Sequence, residues 1–417
     1  MAEKDITRYV IIGGSAAGMS AAQAIRKTDS RGTVTVLSAE TDAPYFRPLI
    51  PYLISGKKSA AEMMMAGRGP YVGENITVWT GAPVTAIDVK GKNVSIAEGE
   101  KICFDRLLLA TGASPVIPPE IEGTDAAGVF ALRTLAQARE AAKRVEKARH
   151  AVLLGGGLLN LKAAFSLLER GIAVTLVVFS PEVLSQLMEP ADAARIRGAL
   201  TAAGLNIMTG TAATAVCSDP GGVTGVLLDN GRSLACEMVF IGKGVAPNTA
   251  FLRGSGIGLA EGVIADDYTR TSAAGVFTAG DVAMTYDPVL EKRIHTGLWT
   301  HAVEMGRCAG FNMAGKPTAY TGTLGIMNAT QIGNEPFVSM GIVHTTNTDY
   351  ETHISSGSGF YRKIVFSPDG RRLAGAVLSG DISGAGLMGA VMRRRRPVDA
   401  FKSAIINGRL HYGYFLS

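Results

Sequence analysis

Two stretches of this chain, about 140 residues apart, follow one plan. The first, RYVIIGGSAAGMSAAQAIRKTDSRGTVTVLSAE from Arg8, runs from an apolar strand through a glycine turn and an alanine-rich helix to a strand alternating Val and Thr. The second, HAVLLGGGLLNLKAAFSLLERGIAVTLVVFS from His150, repeats it. Each reads as the opening of a βαβ nucleotide-binding unit, in which a parallel strand pair needs a crossover helix. Two such units imply two dinucleotide sites, or one site and a copy that has lost its ligand. At 417 residues the chain exceeds a single core and has room for two or three domains.

In the first copy the turn residues are Gly13, Gly14, Ser15, Ala16, Ala17 and Gly18. Ser15 replaces the middle glycine of Gly-x-Gly-x-x-Gly, yet it is small enough for a pyrophosphate to approach the backbone. The Ala16 and Ala17 amides can face that anion at the helix N-terminus, and Gly18 permits close helix-to-strand packing. Near the end of the second strand, Glu40 is suited to accept from ribose hydroxyls; Ser38 competes with it for the position of the expected acid.

The second copy keeps Gly155, Gly157 and Leu158, but its third glycine is Asn160, and Lys162 follows two residues later. Its second strand ends in Val178 and Phe179 where an acid should meet the ribose hydroxyls, and no arginine follows at once to claim a 2′-phosphate. Asn160 is expected to crowd the helix against the strand. Losing a charge-assisted hydrogen bond at Val178 should cost about 1 to 3 kcal/mol, roughly a tenfold to hundredfold weaker NADH complex.

Two further segments stand in order behind these turns: FDRLLLATGASP, with Thr111 and Gly112, and GVFTAGDVA, with Gly280 and Asp281. With them the chain resembles the two-dinucleotide-binding flavoproteins of the FAD-dependent pyridine nucleotide-disulfide oxidoreductase superfamily. YFRPLIPYLISGK, GLWTHAVEMGRCAGFNMAG and the closing stretch from Phe360 look most like NADH-rubredoxin and ferredoxin reductases. The resemblance implies an α/β fold with two Rossmann-like domains, the FAD domain split as residues 1–118 and 247–322, the NAD(P)-type domain inserted as 119–246, and a C-terminal α+β interface domain over 323–417.

It also implies roles. The first turn would hold the FAD pyrophosphate, Thr111–Gly112 would support the fold beside it, and the Asp281 carboxylate would bind the ribityl chain. Arg47 would contact FAD, with Pro48 near the isoalloxazine. Tyr52 and Lys162 stand where ferredoxin reductases pair a lysine with a glutamate near flavin N5, so that Lys162 either contacts the flavin and favours its reduced form, or is solvated or paired with Glu169. Trp299 would lie beside the flavin or in the core. His301, just before Ala302 at a helix N-terminus facing the flavin pyrimidine, would stabilise negative charge there or simply pack.

What the chain lacks narrows its chemistry. Cys103, Cys217, Cys236 and Cys308 stand far apart with no Cys-x-x-Cys, so neither a metal site nor a dithiol is expected. Neither the first helix nor the segment after the second strand carries the cysteine by which relatives reduce disulfides or peroxides. Electrons must leave the flavin directly. We therefore expect an FAD oxidoreductase working between NAD(P)H, with NADH favoured over a partly degenerate site, and a protein carrier: rubredoxin, ferredoxin or an iron-sulfur subunit. A flavin subunit of a larger complex that does not use NAD(P)H, and a flavin-binding assembly protein without turnover, are the alternatives.

The formal charge of +5 is small for this length, so a nucleic-acid partner is not expected. The opening residues show no signal pattern and no apolar run reaches a membrane span, so a cytoplasmic protein is expected, as a homo-oligomer or in a hetero-complex. The run Arg393–Arg396 reads either as a solvated helix end or as a docking patch for an acidic carrier.

Overall fold

A computed structural model of the chain describes residues 6–65, 76–97, 99–322, 324 and 327–415. Residues 1, 323 and 417, at which expected domain bounds fall, lie outside them. Each glycine-turn repeat opens a five-stranded, all-parallel sheet. In the first sheet the order is Val276–Thr278, Arg106–Leu109, Arg8–Ile12, Thr33–Leu37, Ile76–Trp79. In the second it is Asn206–Thr209, Ala173–Val178, His150–Leu154, Met238–Ile241, Val129–Phe130. The apolar runs VII and AVLL are buried because helices cover both faces of a parallel sheet.

Strand Val276–Thr278 joins the first sheet although the whole second sheet intervenes in sequence, pairing with Arg106–Leu109. The crossing between the two sheets is tied by the antiparallel pair Ala113–Pro115 with Val245–Pro247. Beyond them, five antiparallel strands between Asn328 and Ser379 carry helices Ala385–Arg393 and Lys402–Ile406.

Helix Ala16–Thr28 follows the first turn and packs directly on helix Trp299–Met313. The contact is made by backbone: a Cβ on Gly306 would stand 2.1 Å from the Ala17 carbonyl oxygen, and one on Gly310 2.4 Å from that of Ala21. Small residues at this spacing let the helices approach, and their N-termini converge on the same end of the first sheet. No helix among the described residues is long and apolar enough to cross a membrane.

Candidate functional site

The first turn leaves strand Arg8–Ile12 at its carboxyl end, where open α/β sheets hold ligands. Gly13 has φ +117°, and a Cβ there would stand 2.0 Å from the Ala110 carbonyl oxygen, so no other residue fits. Ser15 caps helix Ala16–Thr28 without a side-chain bond, which leaves the first amides of the helix for a ligand. Around this turn lies a cavity of about 330 Å³ lined by Gly13, Gly14, Ser15, Ser38, Glu40, Arg47, Thr111, Gly112 and Arg133.

Glu40 is held from both sides. Arg47 Nη2 donates to Oε1 at 2.7 Å and the Tyr45 hydroxyl donates to Oε2 at 2.7 Å. The second guanidinium nitrogen of Arg47 donates to the Arg133 carbonyl. Thr111 and Gly112 are pinned by Asn248: the Thr111 hydroxyl donates to the Asn248 carbonyl at 3.0 Å, Asn248 Nδ2 returns a bond to the Thr111 carbonyl at 2.9 Å, and the Asn248 amide donates to the Gly112 carbonyl. Asp281 pairs with Arg133 Nη2 at 2.8 Å, and a Cβ on Gly280 would touch Ala17 at 3.0 Å and Ala302 at 3.7 Å.

Residues expected from four distant segments thus line or border one cavity. The sequence reading missed Arg133, Tyr45 and Asn248. Arg133 in the LRTL that follows Phe130 carries no motif signal of its own, and only the fold brings it to Asp281. Among the described residues no group of three or more His, Cys, Asp or Glu is placed to hold a metal ion.

Helix Trp299–Met313 begins at the expected residues. Trp299 is half-buried with its ring 6.1 Å from that of Phe46, just ahead of the short helix Arg47–Leu49 that contains Pro48. His301 is buried, with Nδ1 3.3 Å from the Thr296 hydroxyl. Burial, with the Arg393 charge adding and the Asp287 charge opposing, pushes its pKa down to about 4. Burial therefore favours the neutral form of the ring, in keeping with the packed one of the two readings left open for it.

At the second turn Asn160 does not crowd the site. Its side chain points back into the sheet, where Nδ2 donates to the Leu154 carbonyl at 3.0 Å and the Gly155 carbonyl at 2.8 Å. The space it occupies is left by Gly242, just past the end of the neighbouring strand Met238–Ile241: a Cβ there would stand 2.6 Å from Asn160 Cγ. Nothing lies within 4 Å of a Cβ built on Gly157, the N-cap of helix Leu158–Leu168, so the face at which an anion would arrive is open. The expected obstruction is therefore a staple behind the turn. Val178 is buried with its methyl groups 3.1 and 3.2 Å from a Cβ on Gly156, and supplies no acid.

Lys162 lies on the same helix, exposed, with its pKa lowered by the protein around it. Glu169 pairs with Lys57 at 2.6 Å instead, and among the described residues no carboxylate is within ion-pair distance of Lys162. Helix Ile50–Ile54, which carries the exposed Tyr52, packs on helix Leu158–Leu168 through Ile50, Ile54 and Leu161. None of the four cysteines lines the cavity of the first turn. Cys236 and Cys308 are buried, and burial raises both thiols, Cys236 to about 12.

Two glycine turns on two parallel sheets, joined by one strand pair and without a thiol at the first, define a two-dinucleotide flavoprotein. Residues 7–306 match the pyridine nucleotide-disulphide oxidoreductase family, and the chain belongs to it. It is an FAD-dependent oxidoreductase. The subunit epsilon of NADH-dependent phenylglyoxylate dehydrogenase from Aromatoleum evansii is 29% identical over 98% of this chain and 96% of its own. Rubredoxin-NAD(+) reductase from Ectopseudomonas oleovorans is 29% identical over 70% of this chain and 77% of its own. The covalent putidaredoxin reductase–putidaredoxin complex has the same fold, with a TM-score of 0.86 at 21% identity, covering 97% and 99% of the two chains.

Proposed function

We propose that this chain passes electrons from NADH to a protein carrier through FAD, and that it does so as a cytoplasmic protein divided near residues 118, 246 and 322. The observation that carries this reading is the pairing of an intact first cavity with a second turn whose anion face is open at Gly157. FAD, when bound, supplies a centre that accepts two electrons at once and releases them singly or in pairs. The first turn and the helix amides behind it would hold the pyrophosphate, Arg47 with Glu40 would order the adenosine end, and Asp281 would turn from Arg133 to the ribityl hydroxyls. Lys162 would place a cation near the flavin edge, and Trp299 with Phe46 would shield its face.

The carrier is of the rubredoxin, ferredoxin or iron-sulfur subunit kind, since a family member without a thiol at this cavity has no internal acceptor. A second reading makes the chain the flavin subunit of a larger complex. It is favoured by the subunit epsilon relative, whose match runs nearly the full length of both chains. Anaerobic titration of the purified yellow protein with NADH and NADPH tests the donor. Bleaching by NADH with onward transfer to an added iron-sulfur protein supports the main reading; flavin that only a co-purifying redox subunit reduces supports the second.

A further inference from the structure

A second cavity, of about 610 Å³, opens at the other end of the first sheet, where strands Arg106–Leu109 and Val276–Thr278 begin and helix Trp299–Met313 ends. The start of that helix and the first glycine turn lie at the far end, about 22 Å away along 15 helical residues. None of the residues assigned to the flavin reaches this place. Its wall carries two arginines, Arg106 and Arg270, and no carboxylate.

The backbone sets both arginines on one face of the sheet. Arg270 pairs with Phe277, Phe277 stands beside Leu108 in the next strand, and Arg106 precedes Leu108 by two residues, so the two-residue period of a strand turns all four side chains the same way. Two strand spacings, roughly 10 Å, separate the arginine-bearing segments, and Phe277 stands between them.

Arg270 is held in place by its own loop. Its Nε donates to Asp266 Oδ2 at 2.8 Å and its guanidinium lies 4.8 Å over the Tyr268 ring. Asp266 Oδ1 accepts from the Tyr268 and Arg270 amides at 2.9 and 2.8 Å, so this carboxylate is spent on the loop. The Arg270 Nη groups have no partner among the described residues. Arg106 Nη1 donates to the Asp105 carbonyl at 3.0 Å while the Asp105 carboxylate is taken by Arg8, which leaves Arg106 Nε and Nη2 without a partner among the same residues. Asn312 fixes a further wall, donating from Nδ2 to the Tyr268 and Thr318 carbonyls at 2.8 Å.

A guanidinium already held in position loses little freedom on taking an anion, and two such forks offer more N–H donors than one carboxylate accepts. We propose that this cavity binds a small molecule bearing a diphosphate, gripped by Arg106 and Arg270 while Tyr268 and Phe277 give its organic part an apolar floor. Asp267 is exposed but does not line the cavity, and Lys316, next to the lining Gly315, offsets the carbonyl end of the helix.

Isothermal titration of the FAD-loaded protein with inorganic pyrophosphate at low ionic strength, paired with hydrogen exchange, tests this. Bound pyrophosphate should protect amides bordering the cavity, in 266–277 and 312–317. Arg106→Gln and Arg270→Gln should each weaken it about tenfold, as for one lost charge-assisted bond, with flavin content unchanged. Arg106→Gln, whose side chain closes no loop, keeps the test decisive should Arg270→Gln unsettle the Asp266 turn. Succinate, a dicarboxylate, should bind about tenfold more weakly than pyrophosphate, for want of acceptors to fill both forks. Protection confined to the second turn at 155–158, an unchanged affinity in Arg106→Gln, equal affinity for succinate, or no heat at millimolar pyrophosphate would each overturn the assignment.

Discussion

Asn160 and Gly242 occupy one space: the amide group of the first fills the volume that a side chain on the second would need, with 2.6 Å between Asn160 Cγ and a Cβ on Gly242. In the usual unit a glycine on the helix allows close approach to the strand. Here the small residue stands just past the end of the adjacent strand, and the helix residue spans the gap to donate to the Leu154 and Gly155 carbonyls. Gly242→Ala should destabilise the protein by about 1 to 3 kcal/mol through overpacking. Asn160→Gly should also destabilise it, through lost bonds and a void. The double variant should cost less than the sum of the two, because the new methyl then has room. Denaturant melts of the four proteins check this, and strict additivity would show that the two residues do not share the space.

The Arg133–Asp281 pair, 2.8 Å long, bridges the sequence between the two sheets and the last strand of the first. Asp281→Ala should lower flavin occupancy markedly on purification. Arg133→Ala should lower it less, since Asp281 keeps its place beside Gly280 and the ribityl contacts are its own. Flavin-to-protein ratios from absorbance decide the order; full occupancy in Asp281→Ala would take this carboxylate out of the site.

Much of this was legible in the sequence because it is local. The two turns, the strands VII and AVLL and the Thr111–Gly112 and Gly280–Asp281 pairs each declare themselves within a dozen residues. What escaped depends on long-range placement. Arg133 gains meaning from Asp281, 148 residues away. Asn160 reads as an obstruction because the space it fills is left by a glycine some 80 residues later. His301 leaves two readings open in the sequence, a charge-stabilising group or a packed one, because its burial is set by the fold, and burial favours the neutral ring.

Lys162 is expected to raise the midpoint potential of the bound flavin, since an ammonium near the ring favours its electron-rich form. Lys162→Met should lower that potential by tens of millivolts, the equivalent of about 1 to 2 kcal/mol for a two-electron couple. Redox titration against dyes of known potential measures it. An unchanged value would return the side chain to solvent.

Glu189 ties the second sheet's neighbourhood to the C-terminal strands. Burial alone would raise its pKa, but the fully buried Lys363 ammonium and donors from Thr345 and Thr346 outweigh burial and hold it at about 2, against an ordinary 4.5. Because the folded value is the lower one, the stabilisation is complete above pH 4.5 and is lost as pH falls toward 2. It is worth on the order of 3 kcal/mol. Lys363→Met should destabilise at neutral pH by about 3 to 5 kcal/mol by stranding the carboxylate, and should flatten the acid limb of a stability-versus-pH curve. An acid limb identical to wild type would mean that another carboxylate controls it.

The four arginines from Arg393 to Arg396 do not form a free patch. Arg393 Nη1 lies 4.0 Å from Glu304, Arg395 pairs with Glu291, and the Arg396 guanidinium stands 5.0 Å above the Phe415 ring and 5.9 Å above that of Phe401. Arg394 is the exposed member of the run. The carboxylates of Glu304 and Glu291 beside Arg393 and Arg395 offset part of the run's charge and leave a small net field for steering an acidic carrier, so Arg394→Gln with Arg395→Gln should change carrier reduction less than about twofold even at low ionic strength. The run should instead matter for holding the C-terminal turn: Arg396→Ala should cost about 1 kcal/mol from the lost ring contacts, while Arg394→Gln stays within about 0.5 kcal/mol of wild type. A severalfold slower carrier step in the double variant, recovering as salt is added, would restore the run as a docking surface.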